Sequence, residues 1–148
     1  MFNIICVGYD GSTPSDNAVH MACDLAEKYG SVVHIVHTPI AETVTFALGA
    51  VSGYHVATTM PSKEDTVKAA QVMLEKAQEV AQAFGDISVM THVGEGDPAH
   101  ALTEYAKGAG SDLIVTGRRG LGNLSGLLLG STSQSVARLA ECAHLTVT

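Results

Sequence analysis

Arginine is nearly missing from this chain. Only Arg118, Arg119 and Arg138 occur in 148 residues, and all basic residues together number 8 against 15 Asp and Glu. With a net charge of −7 and a pI near 5.3, the chain has no general basic face to neutralise a phosphate backbone, so no nucleic-acid partner is expected. Cysteine is equally sparse. Cys6, Cys23 and Cys142 are odd in number, widely spaced and without a C-x-x-C pair, which argues against a disulfide framework or a zinc site and for reduced core thiols. The first residues carry no basic segment followed by a long apolar one, and no stretch has the apolar length to span a bilayer. The expectation is a cytoplasmic protein without membrane contact. Charged residues make up only 16% and hydrophobic ones 46%, which excludes disorder and is enough for a core in one domain over residues 1–148.

What is present is an alternation of strand and helix signals. Asn3 to Val7 is a mostly apolar run of the kind buried on both faces of a sheet. Ser12 or Thr13 then caps a helix with Pro14 in its first turn, and Ala18, Ala22, Leu25 and Tyr29 recur at helical spacing up to Gly30. Ser31 to His37 reads as a second strand, closed by Thr38-Pro39. Residues 39–61 are an Ala/Thr/Gly-rich connection with one charge, Glu42, and read as a lid, a partner surface or a disguised short helix. Ser62 caps a long helix with a stripe of Val67, Ala70, Leu74, Ala77, Ala81 and Phe84. Ile87 to Val93 is a third strand. Asp97 and Pro98 supply the N-cap and first position of a helix running to Lys107. Asp112 to Thr116 is a fourth strand, Ser131 to about Glu141 a helix, and His144 to Thr148 a fifth strand. Five strands alternating with four helices imply right-handed crossovers and a doubly wound α/β domain, its parallel sheet covered on both faces.

Between the fourth strand and the last helix lies the stretch with the most chemistry. Gly117 to Ser133 holds five glycines in fourteen residues, at 117, 120, 122, 126 and 130, and contains two of the three arginines. Such glycines permit positive φ and bring bare N–H groups against a ligand. Ser131, Thr132 and Ser133 open the following helix, whose N-terminus is a natural anion site. The loop is not a Walker A sequence, because Asn123-Leu124 stand where Lys-Ser/Thr would follow, and the dinucleotide spacing fails at Ser125. Gly94-Glu-Gly96-Asp-Pro-Ala99 matches Gly-x-Gly-x-x-Ala formally, but Glu95 and Asp97 would repel a pyrophosphate and Asp97-Pro98 is better read as a cap. What remains is Gly117-x2-Gly120-x9-Gly130-Ser131. A second polar strand end, Gly8-Tyr9-Asp10, faces this loop if the first and fourth strands are neighbours.

The spaced glycines, the strand followed by Asp10-Gly11-Ser12, Gly96-Asp97-Pro98, and Asp112-Leu-Ile-Val-Thr-Gly117 together resemble the ATP-binding universal stress proteins over nearly the whole chain. The resemblance implies a five-stranded parallel sheet in the order 3-2-1-4-5. It implies a site for ATP, ADP or AMP, with Mg²⁺ or Mn²⁺ arriving on the nucleotide. Gly8 and Asp10 would line adenine and ribose, and Thr38 would present backbone to the adenine edge. Gly117, Arg118, Arg119, Gly120, Gly122 and Asn123 would wrap ribose and phosphates, and Gly130, Ser131, Thr132 and Ser133 would donate to the phosphates. It also implies a homodimer through the last strand, which carries neither charge nor proline to blunt a sheet edge. Two departures stand out: Tyr9, where a smaller residue is common and where it would crowd or cover the base, and Ala143-His144 in place of the usual residues of the last strand.

Catalytic readings fare less well. Gly8 occupies the nucleophile's place in the phosphatase pattern Asp-x-Asp-Gly-Thr/Ser, so covalent phosphoryl transfer has no nucleophile. The seven histidines include no pair at ligand spacing on one helix face, and His34 and His37 fall on opposite faces of a strand. Ser131 is better used as a helix cap than as a nucleophile. No carboxylate lies in the glycine loop between Asp112 and Glu141, so a base for hydrolysis is missing there. The sequence therefore points to a nucleotide-binding stress-response or regulatory module with no catalytic residue and at most slow hydrolysis. The alternatives are a scaffold dimer recruiting a partner through residues 39–61, and an adenine-nucleotide hydrolase.

Overall fold

In the computed structural model, which describes residues 1–52, 61–121 and 130–148, the five apolar runs form one sheet. Strands β1 (Ile4–Gly8), β2 (Val32–His37), β3 (Val89–Val93), β4 (Leu113–Gly117) and β5 (Ala143–Val147) are all parallel, in the order β3-β2-β1-β4-β5. This is the expected 3-2-1-4-5 sheet. The helices are α1 (Thr13–Tyr29), α2 (Ala41–Ser52), α3 (Lys63–Gln82), α4 (Pro98–Ala109) and α5 (Ser131–Leu139).

The period-two alternation of β1 divides the core. Ile5 and Val7 face a larger cluster built with α1, α2 and α3 through Val19, Val44, Leu48 and Met73. Cys6, together with Val36 and Ile114, faces a smaller one closed by Leu102 and Ala106 of α4 and Val136 of α5. Cys6 and Cys23 are fully buried, and loss of solvation pushes both thiols up to about 11, so they stay protonated. All three cysteines are free.

Local signals explain the boundaries. Ser12 caps α1 by accepting from Ser15 N, and Gly30 ends it at φ 70°. Ser62 and Asp65 form a reciprocal capping box on α3, and Asp97 caps α4 through His100 N at 3.0 Å. The Asp112 carboxylate accepts from Asn3 N at 2.6 Å and Ile4 N at 3.1 Å, which pins the starts of β1 and β4 together and holds its pKa below the usual value.

Three expectations are corrected. There are five helices among the described residues, not four: of the three readings of 39–61, the short helix is what Ala41–Ser52 forms. Its periodicity is hard to see among small residues, yet Val44, Ala47 and Leu48 are buried, and Thr43 holds its start through Ile40 N and O at 2.9 and 3.0 Å. The buried stripe of α3 is rotated, with Ala70, Met73, Ala77 and Ala81 inside and Val67 64% exposed. The third strand starts two residues later than expected, and α5 ends at Leu139 with Ala140 as its C-cap.

Candidate functional site

Strand order reverses between β1 and β4, so the loops leaving their carboxyl ends diverge and leave a crevice between them. The crevice has a volume of about 550 Å³, within the range of small-molecule sites. Its floor is the ends of β1, β2 and β4, with Gly8, Val36 and Thr116. One wall is the start of α2, and the other is Arg119–Leu121 with the first turn of α5.

Asp10 joins the two sides. One of its oxygens, Oδ1, accepts from Ser12 N at 3.0 Å and Ser12 Oγ at 2.5 Å, and the other, Oδ2, accepts from Leu121 N at 3.1 Å. The carboxylate expected to face the glycine loop does so. Gly120 is bare because a Cβ there would strike Asp10 Oδ2. Gly117 is bare because a Cβ would stand 2.8 Å from the Pro14 carbonyl carbon, and at Gly8 it would meet Leu102 Cδ2 at 2.8 Å. At Gly130 a Cβ would lie 3.3 Å from the Arg118 carbonyl oxygen, the atom that accepts Gly130 N–H at 2.7 Å. None of these has positive φ; among the described residues the glycines that do are 11, 30, 85, 96 and 110. Close approach of backbone, not left-handed turning, is thus what the loop's described glycines provide, which corrects half of the reason given for them.

Ser131, expected as a cap, is instead the first helical residue of α5. The N-cap is Gly130 and no side chain caps this end, while the first helical bond runs from Gln134 N to Gly130 O at 3.0 Å. The N–H groups of Ser131, Thr132 and Ser133 therefore have no partner within the helix and open on the crevice that all three residues line. The Ser133 hydroxyl lies 3.0 Å from Thr116 Oγ1, which in turn lies 2.8 Å from His144 Nε2. Arg119 lines the crevice and is exposed; Arg118 continues the β4–β5 ladder by donating to Val147 O at 2.6 Å. Gly122 and Asn123 lie outside the described residues.

On the β2 side Thr38 is buried, with its Oγ1 against Gly94. His37 is wholly buried and its Nδ1 lies 2.9 Å from the Tyr9 carbonyl oxygen, which can only accept, so Nδ1 carries the hydrogen. Nε2 has no partner among the described residues. Burial lowers the His37 pKa, opposed by the Tyr9 hydrogen bond and the Asp10 charge. Tyr9 is among the residues lining the crevice, while its side chain packs into the core. Its ring is 97% shielded within the larger cluster and its hydroxyl donates to Asp16 Oδ1 at 2.7 Å, because β1 alternation turns it to the α1–α3 side. Burial first, then the Asp16 carboxylate, raises its pKa.

Sequence reading missed Thr116, Val36, Leu102, Ile40 and Glu42 as lining residues. Thr116 and Val36 could have been found from their place at strand ends; Glu42 and Ile40 depended on recognising α2, and Leu102 on the close packing of α4 over Gly8.

The parallel sheet in this order, with an uncapped helix start and a carboxylate facing each other at its switch point, places the chain among the doubly wound α/β domains. Residues 1–148 match the Universal stress protein family, and the chain belongs to that family. It is 33% identical over 148 residues to universal stress protein YxiE of Bacillus subtilis, covering 99% of each chain. A universal stress protein from Thermus aquaticus, encoded in the QAH/OAS sulfhydrylase 3′ region, is 34% identical with 99% of each covered. Among solved structures, a universal stress protein in complex with cAMP is 27% identical, with a TM-score of 0.72 over 99% of this chain and 97% of that one.

Proposed function

We propose that the crevice binds an adenine nucleotide, ATP with ADP or AMP as its products or alternatives, and that the protein acts as a nucleotide-responsive regulatory module in the stress response. The observation that carries this reading is the uncapped start of α5 at Gly130–Ser133, set opposite Asp10 across a crevice of about 550 Å³. The phosphates lie at the N–H groups of Ser131–Ser133 with Gly130 bare beside them, and Arg119 adds positive charge. The ribose hydroxyls compete with Leu121 N–H for Asp10. The adenine rests against Val36 and Ile40, with the backbone at Thr38 along its edge. A relative that binds cAMP supports the adenine nucleoside part of this reading. Mg²⁺ or Mn²⁺ arrives with the nucleotide, held by its phosphate oxygens.

Hydrolysis is at most slow. Among the described crevice-lining residues the carboxylates are Asp10 and Glu42, and Glu42 belongs to α2, the wall opposite Arg119–Leu121 and the first turn of α5. The reading extends to a single domain over residues 1–148, a homodimer through β5, and action in the cytoplasm, where the three free cysteines stay reduced. No described helix is long and apolar enough to cross a membrane. The test is mass spectrometry of nucleotide released from the purified, denatured protein, with calorimetry of ATP, ADP, AMP and cAMP on the emptied protein. Binding of none of them overturns the reading.

A further inference from the structure

We propose that His144 is a positioning residue for the crevice, acting through Thr116 to set whether the Ser133 hydroxyl offers a hydrogen or a lone pair to an anionic ligand. The inference rests on the nucleotide reading of that site and adds a control that the reading does not contain.

The geometry is a three-membered chain. His144 Nε2 lies 2.8 Å from Thr116 Oγ1, and Thr116 Oγ1 lies 3.0 Å from Ser133 Oγ. Thr116 and Ser133 are 3% and 2% exposed, and both line the crevice. His144 reaches Thr116 diagonally, since its own partner on β4 is Ile114 and that of Thr116 is Thr146. The middle hydroxyl has one hydrogen and two neighbours, so it donates to only one of them. When Nε2 is bare, Thr116 donates to His144 and accepts from Ser133. The Ser133 hydrogen is then used inward, and the crevice sees its lone pairs, which repel a phosphate oxygen. When Nε2 carries a hydrogen, His144 donates to Thr116 and Thr116 to Ser133, and the Ser133 O–H turns toward the crevice beside the α5 N–H groups.

An anion therefore favours the Nε2–H form. In neutral histidine this is one of two tautomers; in the imidazolium it is the only arrangement, and it adds a positive charge behind the cradle. The groups that meet His144 are few. β4 and α5 present the Thr116 and Ser133 hydroxyls, and Cys142, two residues earlier and just before the strand, has a thiol raised by burial. Of the charged residues near the end of α5, Arg138 bonds Ser135 and Glu141 pairs with Lys107 of α4 at the surface. α1 meets the end of β5 through Asn17, which donates to the Thr148 carbonyl. Burial holds the His144 pKa below its usual 6.5, so the empty protein keeps the ring neutral at neutral pH and an anion draws the proton in.

The test is ADP affinity by calorimetry from about pH 8 to about pH 5.5, in wild type, His144→Gln, Thr116→Ser, Thr116→Val and Ser133→Ala; the phosphate's own titration is common to all and cancels in the comparison. Relative to Thr116→Val, wild type gains an extra threefold to tenfold, roughly, as pH falls, the gain expected for a pKa that ADP raises by up to about one unit. Thr116→Ser keeps that gain. His144→Gln, which can donate but not titrate, binds with the flat profile of Thr116→Val and Ser133→Ala. In wild type, ¹⁵N resonances of His144 shift to the Nε2–H form, with a higher pKa, when ADP is added. Equal pH profiles in wild type and Thr116→Val, or an unmoved His144 pKa, overturn the relay while leaving the site standing. Wild type that binds no ADP at any pH overturns the site itself, and the relay with it.

Discussion

Asp10 Oδ2 accepts the backbone N–H of Leu121 at 3.1 Å, across 111 positions of the chain. A single carboxylate just after β1 thus fastens the start of the loop that follows β4. Without ligand it orders the loop; in the proposed complex the ribose hydroxyls compete with Leu121 for it.

Replacing Asp10 by Ala removes both roles. Affinity for ADP is expected to fall about tenfold, the scale of one charge-assisted hydrogen bond at about 1.5–3 kcal/mol discounted for partial exposure. Amide exchange at Gly120 and Leu121 should quicken in the same variant without ligand. Gly120→Ala should reproduce the exchange effect, because its new Cβ displaces the Asp10 carboxylate. Unchanged exchange in both variants would show that the contact orders nothing.

Gly130 gives the sharpest separation of binding from folding. Its φ of −66° and ψ of 155° suit any residue, so substitution costs no backbone strain. A Cβ stands 3.3 Å from Arg118 O, tight but tolerable, whereas the branched side chain of Val also fills the space where phosphate meets the α5 N–H groups. Gly130→Ala should weaken ATP binding several-fold and Gly130→Val should abolish it, with circular dichroism and melting near wild type. Calorimetry showing wild type and Gly130→Val binding alike would misplace the site.

The sheet was legible because Asn3–Val7, Ser31–His37 and Asp112–Thr116 are short apolar runs between glycine, proline and cap residues, and a strand buried on both faces can scarcely look otherwise. The helix at Ala41–Ser52 was not, because Thr, Ala and Gly are interchangeable between small-residue loop and helix until α3 supplies the surface that Val44 and Leu48 bury against. With it went Ile40 and Glu42 as crevice residues. Of the motif's glycines 117, 120 and 130 line the crevice, but partly for another reason than expected, since spacing in sequence cannot distinguish a positive φ from a neighbour too close for a Cβ. Nor does spacing show that the Ser133 hydroxyl lies 3.0 Å from Thr116 Oγ1.

Buried histidine makes the fold acid-sensitive. His37, His34 and His144 all have pKa values lowered from 6.5 by burial, and His37 would carry a second N–H with no acceptor among the described residues. The unfolded chain binds protons from about pH 6.5 downward while the folded chain does not, so more protons are bound unfolded and stability rises with pH through this window. It is fully present above pH 6.5 and falls away toward the lowered folded values. Thermal melts of ligand-free protein should therefore lose Tm from about pH 7 to about pH 5, and His37→Gln, whatever its absolute Tm, should show a shallower loss. Equal slopes would assign the acid sensitivity elsewhere.

The last expectation concerns the edge at β5. This strand lies at one end of the sheet, so one side of its backbone has no strand neighbour among the described residues. Val147 directs its carbonyl to Arg118 N, and in a strand the N–H and C=O of a residue point the same way and alternate along the chain; Leu145 and Ala143 therefore also face β4, while His144 and Thr146 face outward. Ala143 and Thr146 are exposed, and His144, Leu145 and Val147 are only partly covered. Two such edges paired antiparallel about a two-fold axis satisfy each other's groups and close the assembly at two. Light scattering at micromolar concentration should give about twice 15.3 kDa. Thr146→Pro removes an outward donor without touching the β4 ladder, so it should yield a folded monomer that still binds nucleotide. A monomeric wild type would refute the edge dimer, and a Thr146→Pro protein that stays dimeric would move the interface to another face.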